Sequence, residues 1–155
     1  MRAEPAAYAF DDDPNRVDLE VVWSFLSTQA YWGRWRTRAD VEAQVRGAWR
    51  VVGAYEAATG HLVGFARAVS DGVALAYLAD VFVLPAHQGR GVGHGLLTQM
   101  IERGPGAAFR WLLHTADAHR LYAEFGFVAP GTTAMERPAR RPPGSPGAPA
   151  ASAEA

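Results

Sequence analysis

The chain has 155 residues, 49% of them apolar, with a formal net charge of -1 and no cysteine. This fits one compact domain of ordinary size with a tail, and it excludes disulfides, thiolate nucleophiles and cysteine-ligated metals. Its fifteen basic residues, all arginine, are scattered, so there is no electrostatic footprint for a nucleic acid or an anionic membrane surface. Nothing near the start has the apolar core of an export signal, and no run approaches a bilayer-spanning length, so a cytoplasmic protein is expected.

In chain order, Tyr8 to Phe10 reads as a short strand, and Asp11-Asp12-Asp13-Pro14-Asn15 as a turn of residues that bond their own backbone. Leu19, Val22, Phe25 and Leu26 repeat with helical spacing behind Asp18, a natural N-cap. A ring-rich loop, Tyr31-Trp32-Gly33-Arg34-Trp35, separates this helix from a second with Thr37 and Asp40 in its opening turn and Val41, Val45 and Ala48 on its apolar side. Residues 49–57 and 61–69 form two β-rich runs around Ala58-Thr59-Gly60, a hairpin signal. After Ser70-Asp71-Gly72 comes the run 73–84, almost continuously apolar and broken only by Asp80, which predicts a central buried strand.

A helix is predicted over 92–103, stopped by Gly104-Pro105-Gly106, then a strand over 108–115. Asp117 caps a further helix that carries Leu121, Tyr122 and Phe125 and ends at Gly126. Phe127-Val128 is expected to begin another strand, and residues 132–137 to add one more. The domain is expected to span 1–137, followed by a disordered Pro/Gly/Ala-rich tail over 138–155 with no large apolar residue to bury. Two hairpins before the first crossover helix favour a mixed sheet over a doubly wound one.

The segment His87-Gln88-Gly89-Arg90-Gly91-Val92-Gly93-His94-Gly95 places glycine at every second position where a strand hands over to a helix. Amides at a helix start have no partner within the helix and carry the positive end of its dipole, so they hold an anion without a charged side chain. The segment reads as a pyrophosphate cradle, with Gln88, Arg90 and His94 as side-chain donors. A P-loop is excluded because the chain contains no lysine. A dinucleotide fingerprint fails because the third glycine would fall on Leu96.

Gln88-Gly89-Arg90-Gly91-Val92-Gly93 resembles the Gln/Arg-x-x-Gly-x-Gly/Ala signature of the GNAT family of N-acetyltransferases. Upstream, Leu78-Ala79-Asp80-Val81-Phe82-Val83-Leu84-Pro85 is similar to that family's fourth strand. Downstream, Asp117-Ala118-His119-Arg120-Leu121-Tyr122-Ala123-Glu124-Phe125-Gly126-Phe127 is similar to its Asn-x4-Tyr-x3-Gly-Phe segment. The resemblance implies a single-domain α/β acetyltransferase fold: a mixed, mostly antiparallel sheet with splayed central strands, flanked by helices. It also implies acetyl-CoA as acyl donor, with the diphosphate at residues 88–93 and the pantetheine arm along the backbone of Val81, Phe82 and Val83 like an added strand.

By the same resemblance, Tyr122 stands at the general-acid position for the departing thiolate, and Asp117 stands where an asparagine often touches pantetheine. Asp80, an isolated charge in an apolar strand, has three readings: a proton acceptor, an anchor for a cationic amine, or a structural partner of a nearby arginine. The resemblance also implies that Tyr31, Trp32 and Trp35, between the first two helices, form part of the wall of the acceptor site, where rings suit aromatic or cationic amines, while for Trp35 a core or lid place is the favoured reading. Arg34 and Arg36 are candidates for binding an acceptor carboxylate or are ordinary solvated charge. His114, Asp117 and His119 match no metal-ligand spacing, so no metal is expected. The acceptor is then a small-molecule or peptide amine. A non-catalytic acyl-CoA-binding module is the alternative, and a homodimer through an exposed sheet edge is compatible with the pattern.

Overall fold

The computed structural model describes residues 7–31 and 35–140. Its elements are β1 (Tyr8–Asp11), α1 (Leu19–Thr28), α2 (Arg38–Arg46), β2 (Arg50–Glu56), β3 (Leu62–Ser70), β4 (Leu75–Val83), α3 (Val92–Leu97), β5 (Arg110–Leu113) and α4 (His119–Ala123). The five strands form one open sheet in the order β1-β2-β3-β4-β5, antiparallel throughout except that β5 runs parallel to β4. Only the last junction needs a crossover, and α3 supplies it.

Helices cover both faces of the sheet. On one, Val22, Phe25 and Leu26 of α1 and Val41 and Val45 of α2 pack on Phe65 and Phe82. The Phe25 and Phe82 rings stack 4.2 Å apart. On the other, Val92, Leu96, Leu97 and Met100 pack on Val52, Ala54, Ala66, Ala68 and Leu78. Alternation along β4 therefore feeds two cores, and its expected continuous burial becomes every second residue.

Caps fix the first two helices. Asp18 accepts from the amides of Glu20 and Val21, and Thr37 with Asp40 forms a reciprocal capping box at α2. The turn after β3 is tied by Asp71, whose Oδ1 accepts from the amides of Val73, Ala74 and Leu75. At α4 the expectation fails. Asp117 does not cap the helix; Ala118 is the N-cap, and its amide donates to Thr115 Oγ1 at 3.0 Å.

Two further expectations are corrected. Residues 127–137 form no strand, because Pro130 removes a ladder donor and Val128 is 87% exposed with nothing to pack against. The helix over 92–103 is present but changes pitch. Thr98–Glu102 is π-helical, and the Arg50 guanidinium donates to the carbonyls of Gln99 and Met100 at 2.6 and 2.8 Å.

Candidate active site

The site begins where β4 and β5 part. Their pairing runs from Leu75 opposite Arg110 to Leu78 opposite Leu113 and stops there. On the other side of β4 the register slips between Arg67–Asp80 and Ala68–Leu78, leaving Ala79 as an extra, bulged residue that bends the strand. Beyond the bulge, β4 keeps its bonds to β3. The Leu84 amide donates to Val63 O at 2.8 Å, so the residues in step with it, Phe82 and Asp80, turn their backbone groups to β3. Val81 and Val83 turn theirs to the open side, where the Gln88 side chain donates from Nε2 to Val83 O at 3.0 Å.

At the end of β4 a short 3-10 turn, Pro85–His87, leads into the glycines. Gly89 and Gly91 have φ of +74° and +80°, and a Cβ on either would meet nothing within 4 Å, so left-handed backbone, not crowding, requires glycine there. Gly95 is different: its Cβ would lie 2.2 Å from Phe10 Cζ, so it lets α3 close on β1. Among the described residues, the amides of Gly89, Arg90 and Gly91 donate to no carbonyl, and the first backbone bond after the turn is Gly95 to Gly91 O at 3.0 Å. The amides of Val92, Gly93 and His94 precede it and have no carbonyl one turn back in the helix. A hollow of about 430 Å³ lies between this turn and β1, lined by Tyr8, Phe10, Arg90 and His94. The open amides and the absence of crowding over Gly89 and Gly91 suit a diphosphate. The His94 ring lies 4.8 Å from that of Phe125, and its Nε2 3.6 Å from Glu124.

A cavity of about 100 Å³ occupies the split itself, lined by Tyr31, Leu78, Ala79, Val81, His114, Thr115, Asp117, Ala118 and Tyr122. Eight of these were singled out from the sequence, alone or within a quoted stretch; Thr115 comes with them. The Tyr122 hydroxyl has no hydrogen-bond partner among the described residues. Burial, reinforced by the Asp117 carboxylate and Tyr31, pushes its phenol up to about 12. Gly126, at φ +83°, closes α4 behind it, and the Phe127 amide bonds back to Tyr122 O.

Asp80 lies on the α1/α2 face and is 2% exposed. Arg36 grips its carboxylate with two parallel bonds of 2.9 Å, and Arg67 Nε adds a third at 2.8 Å. Burial raises the carboxyl, but the hydrogen bonds and charges of Arg36 and Arg67 outweigh it and hold the group below its ordinary value. Arg36 is therefore neither solvated charge nor a free carboxylate receptor: it is buried, and Gln44 Oε1 takes another of its bonds at 2.7 Å. This pairing was not identified from the sequence as Arg36 with Asp80, since the partners lie 44 residues apart. Tyr31 is exposed, and its hydroxyl accepts from the Ala116 amide at 3.2 Å; Trp35 is 36% exposed, with the Arg36 guanidinium 5.8 Å from its ring. Trp32 and Arg34 lie outside the described residues. Among the described residues no group of three potential ligands gathers around a metal-sized space.

The acetyltransferase (GNAT) family profile matches residues 18–127, most of the chain, and the chain belongs to that family. Among individual proteins, it is similar to a Gibberella zeae protein named as an acetyltransferase. That match is 31% identical over 110 residues, 70% of this chain and 60% of that protein. The chain thus spans less than two thirds of that relative's length. A GNAT-family structure from Xanthomonas campestris pv. campestris is 32% identical, with a TM-score of 0.80 over 88% of this chain and 96% of the other. A structure from Deinococcus radiodurans R1 named as an acetyltransferase shares the fold at 20% identity, with a TM-score of 0.67 over 88% of this chain and 94% of the other.

Proposed function

We propose that the protein is an acetyl-CoA-dependent N-acetyltransferase that moves the acetyl group directly to a primary amine of a small molecule or peptide. One observation carries this reading: the β4–β5 split opens the backbone of Val81 and Val83 and sets a cavity lined by Tyr122 beside it. A pantetheine arm bonded to that backbone would enter the split, with its diphosphate on the amides of residues 89–93. The acetyl thioester is then delivered to the cavity. Bound there, acetyl-CoA supplies an activated acyl group; the protein supplies position and protons.

Tyr122 is the acid in this scheme. Its phenol stays protonated across the working pH range and lines the cavity with no competing bond among the described residues, so its proton is available to the departing thiolate. The same desolvation that raises the phenol raises the basicity of a thiolate formed beside it, which favours the transfer. Asp80 acts as an anchor. With its carboxylate bound by Arg36 and Arg67 it is a poor proton acceptor, but it ties the start of α2 and the acceptor wall bearing Tyr31 and Trp35 to the sheet. Asp117 keeps the cavity negative near the pantetheine end. The reaction is placed in the cytoplasm, where acetyl-CoA and free amines meet.

The test is an amine panel assayed by release of free thiol from acetyl-CoA, covering aminoglycosides, polyamines, arylalkylamines, amino acids and peptide N-termini. Turnover with at least one class is expected. Tight coenzyme binding without acetylation of any amine would instead identify a non-catalytic acyl-CoA-binding module.

A further inference from the structure

We propose that His114, held by Glu136, is the base of the reaction, receiving the proton of the acceptor ammonium through the Tyr77 hydroxyl. The inference rests on the acyl-transfer reading above and names a group that reading lacks. Three side chains from three segments meet: Tyr77 of β4, His114 just after β5, and Glu136 of the C-terminal segment. The Tyr77 hydroxyl lies 2.7 Å from His114 Nδ1, and His114 Nε2 lies 2.8 Å from Glu136 Oε2.

Their chemistry fixes the direction of each bond. An ionised carboxylate only accepts, so Glu136 requires the hydrogen on Nε2; Nδ1 is then the basic nitrogen, and the Tyr77 hydroxyl donates to it. The lone pairs of the Tyr77 oxygen remain able to accept from an ammonium. One proton can enter at that oxygen while another leaves to Nδ1, and the phenol is never left as a phenolate. Burial, with Glu136 and Asp80 adding to it and Arg67 opposing, raises the Tyr77 phenol, which favours such a concerted relay over stepwise ionisation.

The relay also lies on the right side of the sheet. Phe82 and Asp80 face α1 and α2, the extra residue Ala79 shifts the alternation, and Leu78 packs with α3, so Tyr77 returns to the face of Asp80. Tyr77 pairs with Leu112, and His114 follows two residues on, on the same face. Tyr122, Val81 and Val83 belong to the α3 face. The cavity in the split is lined both by His114 and Tyr31 and by Tyr122 and Val81. Donor and acceptor thus approach through opposite faces, with an acid on the donor side and a base on the acceptor side.

The protons balance. The ammonium gives its first proton through Tyr77 to His114, whose side chain is 63% exposed and can release it to water. The neutral amine attacks the thioester carbon, the C–N bond forms and the C–S bond breaks. Tyr122 gives its proton to the sulfur and is reloaded by the proton the nitrogen sheds on becoming an amide. The other titratable groups bordering the relay are Asp80, Arg67, Asp117, His119 and Tyr31.

The experiment compares native protein, His114→Gln, Tyr77→Phe and Glu136→Gln on pairs of amines of one shape and different basicity, such as an alkylamine and its fluorinated, weakly basic analogue. Acetyl-CoA affinity is measured alongside. With the basic amine, kcat/KM should fall about 100-fold in His114→Gln and Tyr77→Phe, and about tenfold in Glu136→Gln. With the analogue, already neutral, each fall should be less than about threefold, and coenzyme affinity should not change. Equal losses on both amines, or no loss on either, overturn the proposal while leaving the acyl-transfer reading intact. Native protein that acetylates neither amine nor any other in the panel overturns both.

Discussion

The carboxylate of Asp80 and the guanidinium of Arg36, 44 residues apart, face each other in two parallel hydrogen bonds of 2.9 Å, both groups almost fully buried. Arg67 completes the cluster at 2.8 Å. Removing the carboxylate leaves two buried cations without an anion, so Asp80→Asn should destabilise the protein by about 3–5 kcal/mol in urea unfolding. Replacing all three residues by apolar ones of similar volume should recover most of that loss. Turnover should stay low in the triple variant, because the acceptor wall has lost its tie to the sheet.

The pH dependence follows from the same cluster. The Asp80 carboxyl is held below its ordinary value of 3.8 in the folded protein, so the unfolded chain binds that proton more readily. Its contribution to stability is complete above that value and is lost as pH falls through the lower, folded one. Asp11, Asp40 and Asp71 are lowered too, so the quantity to read is the difference between native protein and Asp80→Asn. That stability gap should narrow steadily in acid unfolding below pH 3.8.

The glycines should separate by function. Gly91→Ala forces an alanine into left-handed backbone at a cost of about 1–2 kcal/mol. Gly95→Ala, driven into Phe10, should cost about 1–3 kcal/mol while leaving coenzyme affinity unchanged. At Gly93 an added Cβ meets Leu121 Cδ2 at 3.7 Å and Val83 Cγ2 at 3.9 Å, both ordinary contacts, so Gly93→Ala should keep or slightly raise stability. If a diphosphate sits against this backbone, Gly93→Ala and Gly91→Ala should both weaken coenzyme A about tenfold or more, about 1.4 kcal/mol, by calorimetry.

For Tyr122→Phe, kcat should fall about 100-fold, with acetyl-CoA affinity and thermal midpoint nearly unchanged, because the hydroxyl makes no hydrogen bond among the described residues. With the phenol near 12, its deprotonation removes the acid only at the far alkaline end. No loss of rate between pH 7 and 10 should therefore trace to Tyr122. The matched pH profiles of native protein and Tyr122→Phe test this.

The local parts of the fold were legible in the sequence. Strong β-rich runs, Thr37 and Asp40 at a helix start and the Ser70-Asp71-Gly72 turn announced β2, β3, β4 and α2, and the glycine spacing announced the strand-to-helix turn. What failed lay where local preference and tertiary context disagree. Phe127-Val128 has the composition of a strand, but Pro130 and Gly131 follow and no neighbouring strand pairs with it. Asp117 has the chemistry of a cap, but Thr115 does the bonding. Even spacing through Met100 and Ile101 concealed the π-helical turn, which depends on Arg50, 49 and 50 residues away from the carbonyls it binds. The Arg36–Asp80–Arg67 cluster and the Tyr77–His114–Glu136 chain likewise join segments whose meeting only the folded sheet reveals.

The central claim is that open main-chain amides between Gln88 and Gly93 hold the diphosphate of coenzyme A. Titration calorimetry of the native protein with coenzyme A and with pantetheine, which lacks the diphosphate, tests it most directly. The account predicts micromolar or tighter binding of coenzyme A, with pantetheine weaker by at least about 100-fold, a difference of about 2.7 kcal/mol. Equal affinity for the two ligands, or no heat with coenzyme A on folded protein, would contradict it.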